Sequence, residues 1–401
     1  MKKVFIVAAK RTAVGSFLGT LKGVHPADLG APLIQDILST TKLSGKEIDE
    51  VIVGNILSAG LGQGVGRQIA VKGGIDISIP AYSLNMLCGS GMKAVINAYT
   101  SIGAGVHDLI FAGGVESMSK APFLLTDGVR GGFKMGDLVS KDHMLTDALT
   151  DAFNNVHMGI TAENIAEKHH LTREEQDAFA ISSQQKAIAA VDAGRFADEI
   201  VPLKVKVGKD EVIFDKDEYP NRSTSLEKLA KLRPAFKKDG TVTAGNASGL
   251  NDGASMILLA SEEAVKKYHL TPIAEIIAVG QAGVDPLYMG LGPVPSISKA
   301  LKNAKLTLKD IELLELNEAF AAQSLGVLKE LSAEHGQSVE EILSRTNVNG
   351  GAIALGHAVG NSGSRIIVTL VHELQKRKLN LGLASLCIGG GMGTAVIIKR
   401  I

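Results

Sequence analysis

The sequence predicts an α/β protein made of two similar halves with a loop-rich lobe set between them, and three observations carry that prediction. The first is length. At 401 residues the chain exceeds the roughly 250–300 at which one hydrophobic core stops growing. The second is an internal repeat. Lys42-Leu-Ser-Gly-Lys-Glu-Ile-Asp49 matches Lys305-Leu-Thr-Leu-Lys-Asp-Ile-Glu312 position by position, and an apolar strand follows each. Farther along, Cys88-Gly-Ser-Gly91 opens a helix that leads to a strand ending Phe111-Ala-Gly-Gly114. Gly360-Asn-Ser-Gly363 opens another that leads to Leu386-Cys-Ile-Gly-Gly390. The period is too long for a solenoid, so duplication of one α/β domain is the simpler reading. The third observation is a change of composition. From about 117 to 245 the chain turns polar and loop-rich, as expected of an insertion that carries specificity or assembly contacts.

The elements follow in order. Val4 to Ala9 is a short apolar run and reads as a buried strand. A loop with Gly15, Gly19 and Gly23 leads to a helix from about Pro26 to Leu38, opened by its proline. Ser44-Gly-Lys-Glu47 has the form of a capping box, before a strand over 48–53. Met92 to Ala98 reads as helix. In the lobe, Gly128 to Gly136 reads as a glycine-rich loop carrying Phe133 and Met135, and Arg173 to Ala193 as a charged helix.

Composition excludes several functions. Hydrophobic residues make up 45% and charged residues 21%, which rules out disorder as the main state. Lys plus Arg equals Asp plus Glu at 42 each, so no global basic field exists to hold nucleic acid or an anionic membrane. Aromatics are 4% with no Trp, too few for stacking platforms along a single strand. No apolar run nears the roughly 20 residues of a membrane span, and the apolar start before Lys10 is too short for a signal peptide. The cytoplasm is the expected location. There a lone disulfide between Cys88 and Cys387 is not expected, and two buried apolar thiols are the bland alternative to two working ones.

Four segments point to chemistry. Cys88 lies between a Gly-Ser-Gly turn and a helix start. Free N–H groups and the positive end of the helix dipole are expected there to lower its pKa, as a nucleophile needs. His357 lies in a glycine-rich loop of the second half, where backbone can approach a ligand and the repeat can bring the imidazole to Cys88. Cys387 precedes Ile-Gly-Gly-Gly391, whose exposed N–H groups suit an oxyanion hole beside a second thiol. Asn317-Glu318 follows a buried strand. An exposed pair there is placed to position a water or a histidine, with a helix cap as the alternative. Other patterns fail. Gly60 to Gly66 has the wrong spacing for a dinucleotide fingerprint, and Walker A, CxxC and HExxH are all missing from the sequence. His169-His170 reads as solvated, and no metal site is expected.

Together these segments resemble the thiolase family over the whole chain. The resemblance rests on Asn85-x-x-Cys88-x-Ser90-Gly91, Asn317-Glu-Ala-Phe320, Gly356-His357 with Gly360, Ser362 and Gly363, and Cys387-Ile-Gly-Gly-Gly391. It implies a five-layered αβαβα fold. The N-terminal half would be 1–117, completed by about 250–272, the loop domain 118–249 and the C-terminal half 273–401. It implies Cys88 as the acylated nucleophile and His357 as its activator, with a water held by Asn317 in one oxyanion hole. Cys387 would be acid and base for the second substrate, and the N–H groups of Cys88 and Gly389 the second hole. Ser248 would lie near the pantetheine arm, and Leu149, Met158, Phe236, Met289 and Phe320 would line the pocket beside His157. Coenzyme A thioesters are then substrates, with no metal or redox cofactor.

His157-Met-Gly159, Arg130 to Gly136 and Met289-Gly-Leu-Gly-Pro293 resemble the biosynthetic acetoacetyl-CoA branch, in which two acetyl-CoA condense to acetoacetyl-CoA plus CoA. Met158 would narrow the acyl pocket, and the 130–136 segment resembles the assembly loop of homotetramers built as dimers of dimers. There are two departures. Ala358 replaces the proline usual after Gly-His, which implies a less rigid loop. Asn221 stands where an arginine often stacks on adenine, with Arg222 or a nearby Lys to substitute. The rivals are a degradative thiolase of broader chain length, a β-ketoacyl synthase, which Cys387 disfavours, a non-catalytic acyl carrier, and a lone-thiol hydrolase or redox sensor.

Overall fold

The computed structural model describes residues 1–125 and 129–401. Gly128 of the loop read from the sequence lies outside the described residues. The first half supplies β1 (Val4–Arg11), β2 (Glu50–Gly54), β3 (Ala81–Leu84), β4 (Leu109–Ser117) and, after the inserted lobe, β5 (Asn251–Ser261). The second half supplies β6 (Ala274–Gly283), β7 (Leu313–Leu316), β8 (Leu381–Ile388) and β9 (Met392–Arg400). With a two-residue strand at Gly15–Ser16 they form a ten-stranded sheet among the described residues, ordered β3-β2-β4-β5-β1-β6-β9-β8-β7.

That order makes the duplication explicit. Read outward from the centre, β1-β5-β4-β2-β3 corresponds to β6-β9-β8-β7, and Thr346 bridging Leu314 stands in for the missing fifth strand. β2 pairs in parallel with β3 and β4, as β7 does with β8, while the remaining ladders are antiparallel. The halves meet where Val4–Ile6 pair with Ala274–Ile276.

The longer helices are α1 (Pro26–Thr41), α2 (Val65–Lys72), α3 (Ser90–Ala104), α4 (Met158–Lys168), α5 (Arg173–Asp192), α6 (Pro293–Ala304), α7 (Ala321–His335) and α8 (Val359–Arg377). Side-chain alternation assigns the layers. In β4, Ile110 and Ala112 pack inward on α3 and α8, while Leu109, Phe111 and Val115 face α1 and α2. In β1 the alternation changes phase at a register shift between Ile6 and Ala8, so Val7 and Ala8 both face the outer layer and Ala9, like Ile6, faces the centre. α6 and α7 cover the outer face of the second half. The result is the expected five layers, with α3 and α8 as the shared middle one.

Glycines let the two central helices meet at their N-terminal turns. A Cβ on Gly114 would stand 2.2 Å from the Gly360 carbonyl oxygen, and one on Gly363 would stand 2.6 Å from the Met92 nitrogen. Cys88 and His357 therefore emerge at the same end of the molecule.

Several boundaries differ from expectation. α1 runs on to Thr41, closed by Lys42 at φ 59°. α3 extends well past Ala98, to Ala104. Ser44–Glu47 starts no helix; the Ser44 N–H donates to Glu47 Oε2 at 2.7 Å and closes a turn before β2. His170 is exposed as expected, but His169 is only partly so. It ends α4, and its Nε2 lies 3.1 Å from Glu330 Oε1. No described helix is long and apolar enough to cross a membrane.

Candidate active site

Cys88 is held by a turn that its neighbours build. Asn85 Oδ1 accepts from the Leu87 N–H at 2.9 Å, and the Met86 N–H donates to Ser90 Oγ at 2.9 Å. Leu87 sits at φ 49°, a left-handed conformation costly for a bulky side chain. Gly89 follows because a Cβ there would meet Ile388 at 2.3 Å. The thiol faces the start of α3 as expected, but its pKa moves the other way. Burial pushes it up to about 11, and the N–H groups of Gly389 and of Cys88 itself only partly oppose that. Desolvation outweighs the helix end, so the resting nucleophile is a thiol.

His357 is held at both ends. Its N–H donates to Asn251 Oδ1 at 2.8 Å, and its Nδ1 lies 2.6 Å from Ser362 Oγ. The Ser362 hydroxyl donates to the Ala358 carbonyl at 3.0 Å. Ser362 Oγ is thus left to accept from Nδ1–H, and Nε2 carries the free lone pair. Among the described residues no atom pairs with Nε2. Burial, and then the charge of Arg365, hold the imidazole down to about 4, so it is a neutral base. Ala358 has φ −70°, the value a proline ring imposes, so the loop keeps that shape without the ring.

Cys387 ends β8 before a turn in which Gly390 and Gly391 take φ 76° and 81°. It is buried, and burial followed by the nearby Cys88 pushes its thiol far up. At rest this sulfur too is therefore a thiol, for the same reason. Asn317 and Glu318 are not exposed, since the lobe and the second half cover them. Glu318 accepts from Ser183 Oγ at 2.6 Å, Asn347 Nδ2 at 2.8 Å and the Ile353 N–H at 3.3 Å. The Asn317 side chain has no hydrogen-bond partner among the described residues.

The two thiols and the imidazole meet at a cavity of about 330 Å³, whose lining does not include Asn317 or Glu318. Its walls include Cys88, His357 and Cys387, together with Leu149, His157, Met158, Phe236, Ser248, Met289 and Phe320. His157 stacks on Phe236 with ring centroids 4.7 Å apart, and Phe320 meets Phe236 edge-on at 6.1 Å. Gly159 is required beneath that ring, because a Cβ would come within 2.2 Å of it. Gly389 lies against Leu87 and Met158, its N–H turned to Cys88. Sequence reasoning missed Met118, Tyr219, Leu250 and Val359 in the walls, which carry no chemical signature.

Arg222 is not at the cavity. It is exposed and paired with Asp192, its Nη2 lying 2.5 Å from Asp192 Oδ1. The adjoining surface carries Lys228 instead, its ammonium donating to the Ser223 carbonyl. Lys228 lines a groove of about 510 Å³ that shares Tyr219 and Ala244 with the cavity wall.

A duplicated five-layer α/β fold whose two halves bring a pair of thiols and a neutral imidazole to one apolar cavity defines a class of acyl-transferring enzymes. The chain belongs to the thiolase family: the thiolase N-terminal domain matches residues 4–263 and the C-terminal domain residues 270–400. It is 52% identical over 401 residues to an acetyl-CoA acetyltransferase of Pseudomonas aeruginosa, covering all of both chains. Its fold matches the acetyl-CoA acetyltransferase structure from Syntrophomonas wolfei with a TM-score of 0.96 at 41% identity, all of both chains aligned. It matches human mitochondrial 3-ketoacyl-CoA thiolase in complex with CoA with a TM-score of 0.93 at 46% identity, over 100% of this chain and 98% of that one.

Proposed function

We propose that the protein is an acetyl-CoA C-acetyltransferase that reversibly condenses two acetyl-CoA into acetoacetyl-CoA and free CoA through a thioester on Cys88. The observation that carries this is the meeting of Cys88, His357 and Cys387 at one cavity narrowed by Met158 and Phe320. Both thiols are protonated at rest and the imidazole is neutral, which suggests the order of events. Cys88 gives its proton to His357 Nε2 as its sulfur attacks the thioester carbonyl. The departing CoA sulfur takes the Cys387 proton, leaving acetyl-Cys88, an imidazolium and a Cys387 thiolate. That thiolate removes an α-proton from the second acetyl-CoA. The enolate attacks acetyl-Cys88, and the freed Cys88 sulfur recovers its proton from His357. The Cys88 and Gly389 N–H groups face one reacting oxygen, and Asn317 with a bound water faces the other. The sequence requires no metal or redox cofactor.

Mass spectrometry after mixing the protein with acetyl-CoA tests this. One acetyl group on the peptide carrying Cys88, with release of CoA and acetoacetyl-CoA, is expected. Label on Cys387, or on neither, refutes it. The 46% identity to the human enzyme favours a second reading, a 3-ketoacyl-CoA thiolase of broader chain length. Equal specificity constants for acetoacetyl-CoA and a long-chain 3-ketoacyl-CoA would decide for that one.

We place the nucleotide of coenzyme A in the groove beside Lys228. We read the exposed Phe123, Phe133 and Met135 of the lobe as contacts between copies in a cytoplasmic homotetramer, a dimer of dimers. Sedimentation showing only a dimer at micromolar concentration would refute the tetramer.

A further inference from the structure

Glu116 is fully buried at the end of β4 and has no part in the proton transfers proposed above. Its carboxylate is nonetheless saturated. Oε1 accepts from Asn55 Nδ2 at 2.8 Å and the Leu57 N–H at 3.1 Å. Oε2 accepts from the Ile56 N–H at 3.1 Å and the Gly360 N–H at 3.0 Å. The four donors come from the two sides of the active site. Ile56 and Leu57 pack in the apolar cluster that reaches Leu87 and Cys88. Gly360 lies in the first turn of α8, two residues before the Ser362 that orients His357. The fit is close, since a Cβ on Gly360 would stand 2.5 Å from Glu116 Oε2. Gly360 N–H is one of the unpaired donors of a helix start, so the carboxylate also acts on the favourable end of the helix dipole.

We infer that Glu116 is a positioning residue for acyl transfer: a buried carboxylate from the first half that clamps the His357-bearing turn of the second half against the wall of Cys88. It touches neither substrate nor reacting atoms and acts through Gly360 on one side and through Ile56 and Leu57 on the other. The clamp matters because proton transfer from Cys88 to Nε2 depends steeply on the distance between them. This inference rests on the acyl-transfer reading above.

The test is steady-state thiolysis of acetoacetyl-CoA by the full-length protein, with circular dichroism as the check on folding. Glu116→Gln offers an amide N–H₂ to donors and is expected to lower kcat by about tenfold to a hundredfold. KM should stay within about twofold, because the cavity walls are untouched. Glu116→Asp keeps an acceptor-only head and should recover part of the loss. Gly360→Ala leaves the carboxylate intact but pushes against it, and should show the same fall in kcat. Asn55→Ala removes one donor and should fall less. If Glu116→Gln does not fold, Gly360→Ala and Asn55→Ala decide the matter. Folded variants with unchanged kcat, a loss confined to KM, or Glu116→Asp no better than Glu116→Gln would overturn the inference. Failure of the unsubstituted protein to thiolyse acetoacetyl-CoA would instead overturn the reading of function.

Discussion

Replacing His357 with Asn should remove a pH dependence of stability that the buried imidazole imposes. Burial and Arg365 hold the folded imidazole at about 4, against 6.5 for an unperturbed histidine. Between those values the unfolded chain takes up a proton that the folded protein refuses. Stability therefore rises with pH across that window and is lost as pH falls toward 4. At about 1.36 kcal/mol per pKa unit the whole window is worth about 3 kcal/mol. About 2 kcal/mol of it is gone by about pH 5. Urea unfolding near pH 7.5 and near pH 5, at matched protein concentration, measures this. The unsubstituted protein should lose about 2 kcal/mol more between the two than His357→Asn, since only it carries the titrating ring. Acetylation of Cys88 should likewise show no fall from an imidazole titrating near 6.5. Parallel pH dependences in the two proteins would refute the reasoning and show that His357 is hydrated or paired in the folded state.

Cys387→Ser should still form acetyl-Cys88, yet turnover and exchange of the acetyl-CoA methyl protons with deuterated water should fall about 10²–10⁴-fold. Normal turnover would reduce Cys387 to a buried thiol. Met158→Ala should raise kcat/KM for a six-carbon substrate relative to acetoacetyl-CoA by about 10–100-fold, as one or two methylenes gain room. Lys228→Ala should raise KM for acetoacetyl-CoA about two- to fivefold, the scale of an exposed ion pair, while thioesters lacking the nucleotide are unaffected. Ala358→Pro should gain about 0.4–1 kcal/mol in urea unfolding, because φ is already −70°. A loss instead would show that the Ala358 N–H is used.

Cys88, His357 and Cys387 were legible in the sequence because their chemistry and their glycine surroundings are local, whereas Leu149, Met158, Phe236, Met289 and Phe320 were legible only through the resemblance. The repeat was also locally legible, since it rests on two short matching segments. What was not legible depends on desolvation by distant chain. Cys88 at the start of α3 reads as an ionised thiol until Cys387 and the second half cover it. Asn317-Glu318 reads as exposed because nothing local shows that Ser183 of the lobe and Ile353 close over Glu318. His169 was read from its charged surroundings and Arg222 from the resemblance. Glu330 lies 161 positions from His169, and Asp192, 30 positions from Arg222, takes the guanidinium away from the groove. Asn251 and Glu116 carried no nucleophile or base signature, so their hold on His357 and Gly360 appears only in three dimensions.

The duplication accounts for the division of labour in the site. The first half brings one helix start to the site, and the second brings one helix start and two strand ends. Packing the two helix starts together through Gly91, Gly114, Gly360 and Gly363 gives the site four such termini. The first half uses its helix start for Cys88. The second uses its helix start for the Ser362–His357 pair, its β8 end for Cys387 and its β7 end for Asn317. A nucleophile held as a thioester cannot also take the α-proton of the next substrate, so two separate sulfurs are needed close together. Divergence of the two halves supplies them without a new fold. In the sheet the halves are joined by a three-residue ladder between β1 and β6. Their alignment at the active site must therefore come from the middle layer, where the glycine contacts and the Glu116 carboxylate lie within one helical turn of the Ser362 that holds the base.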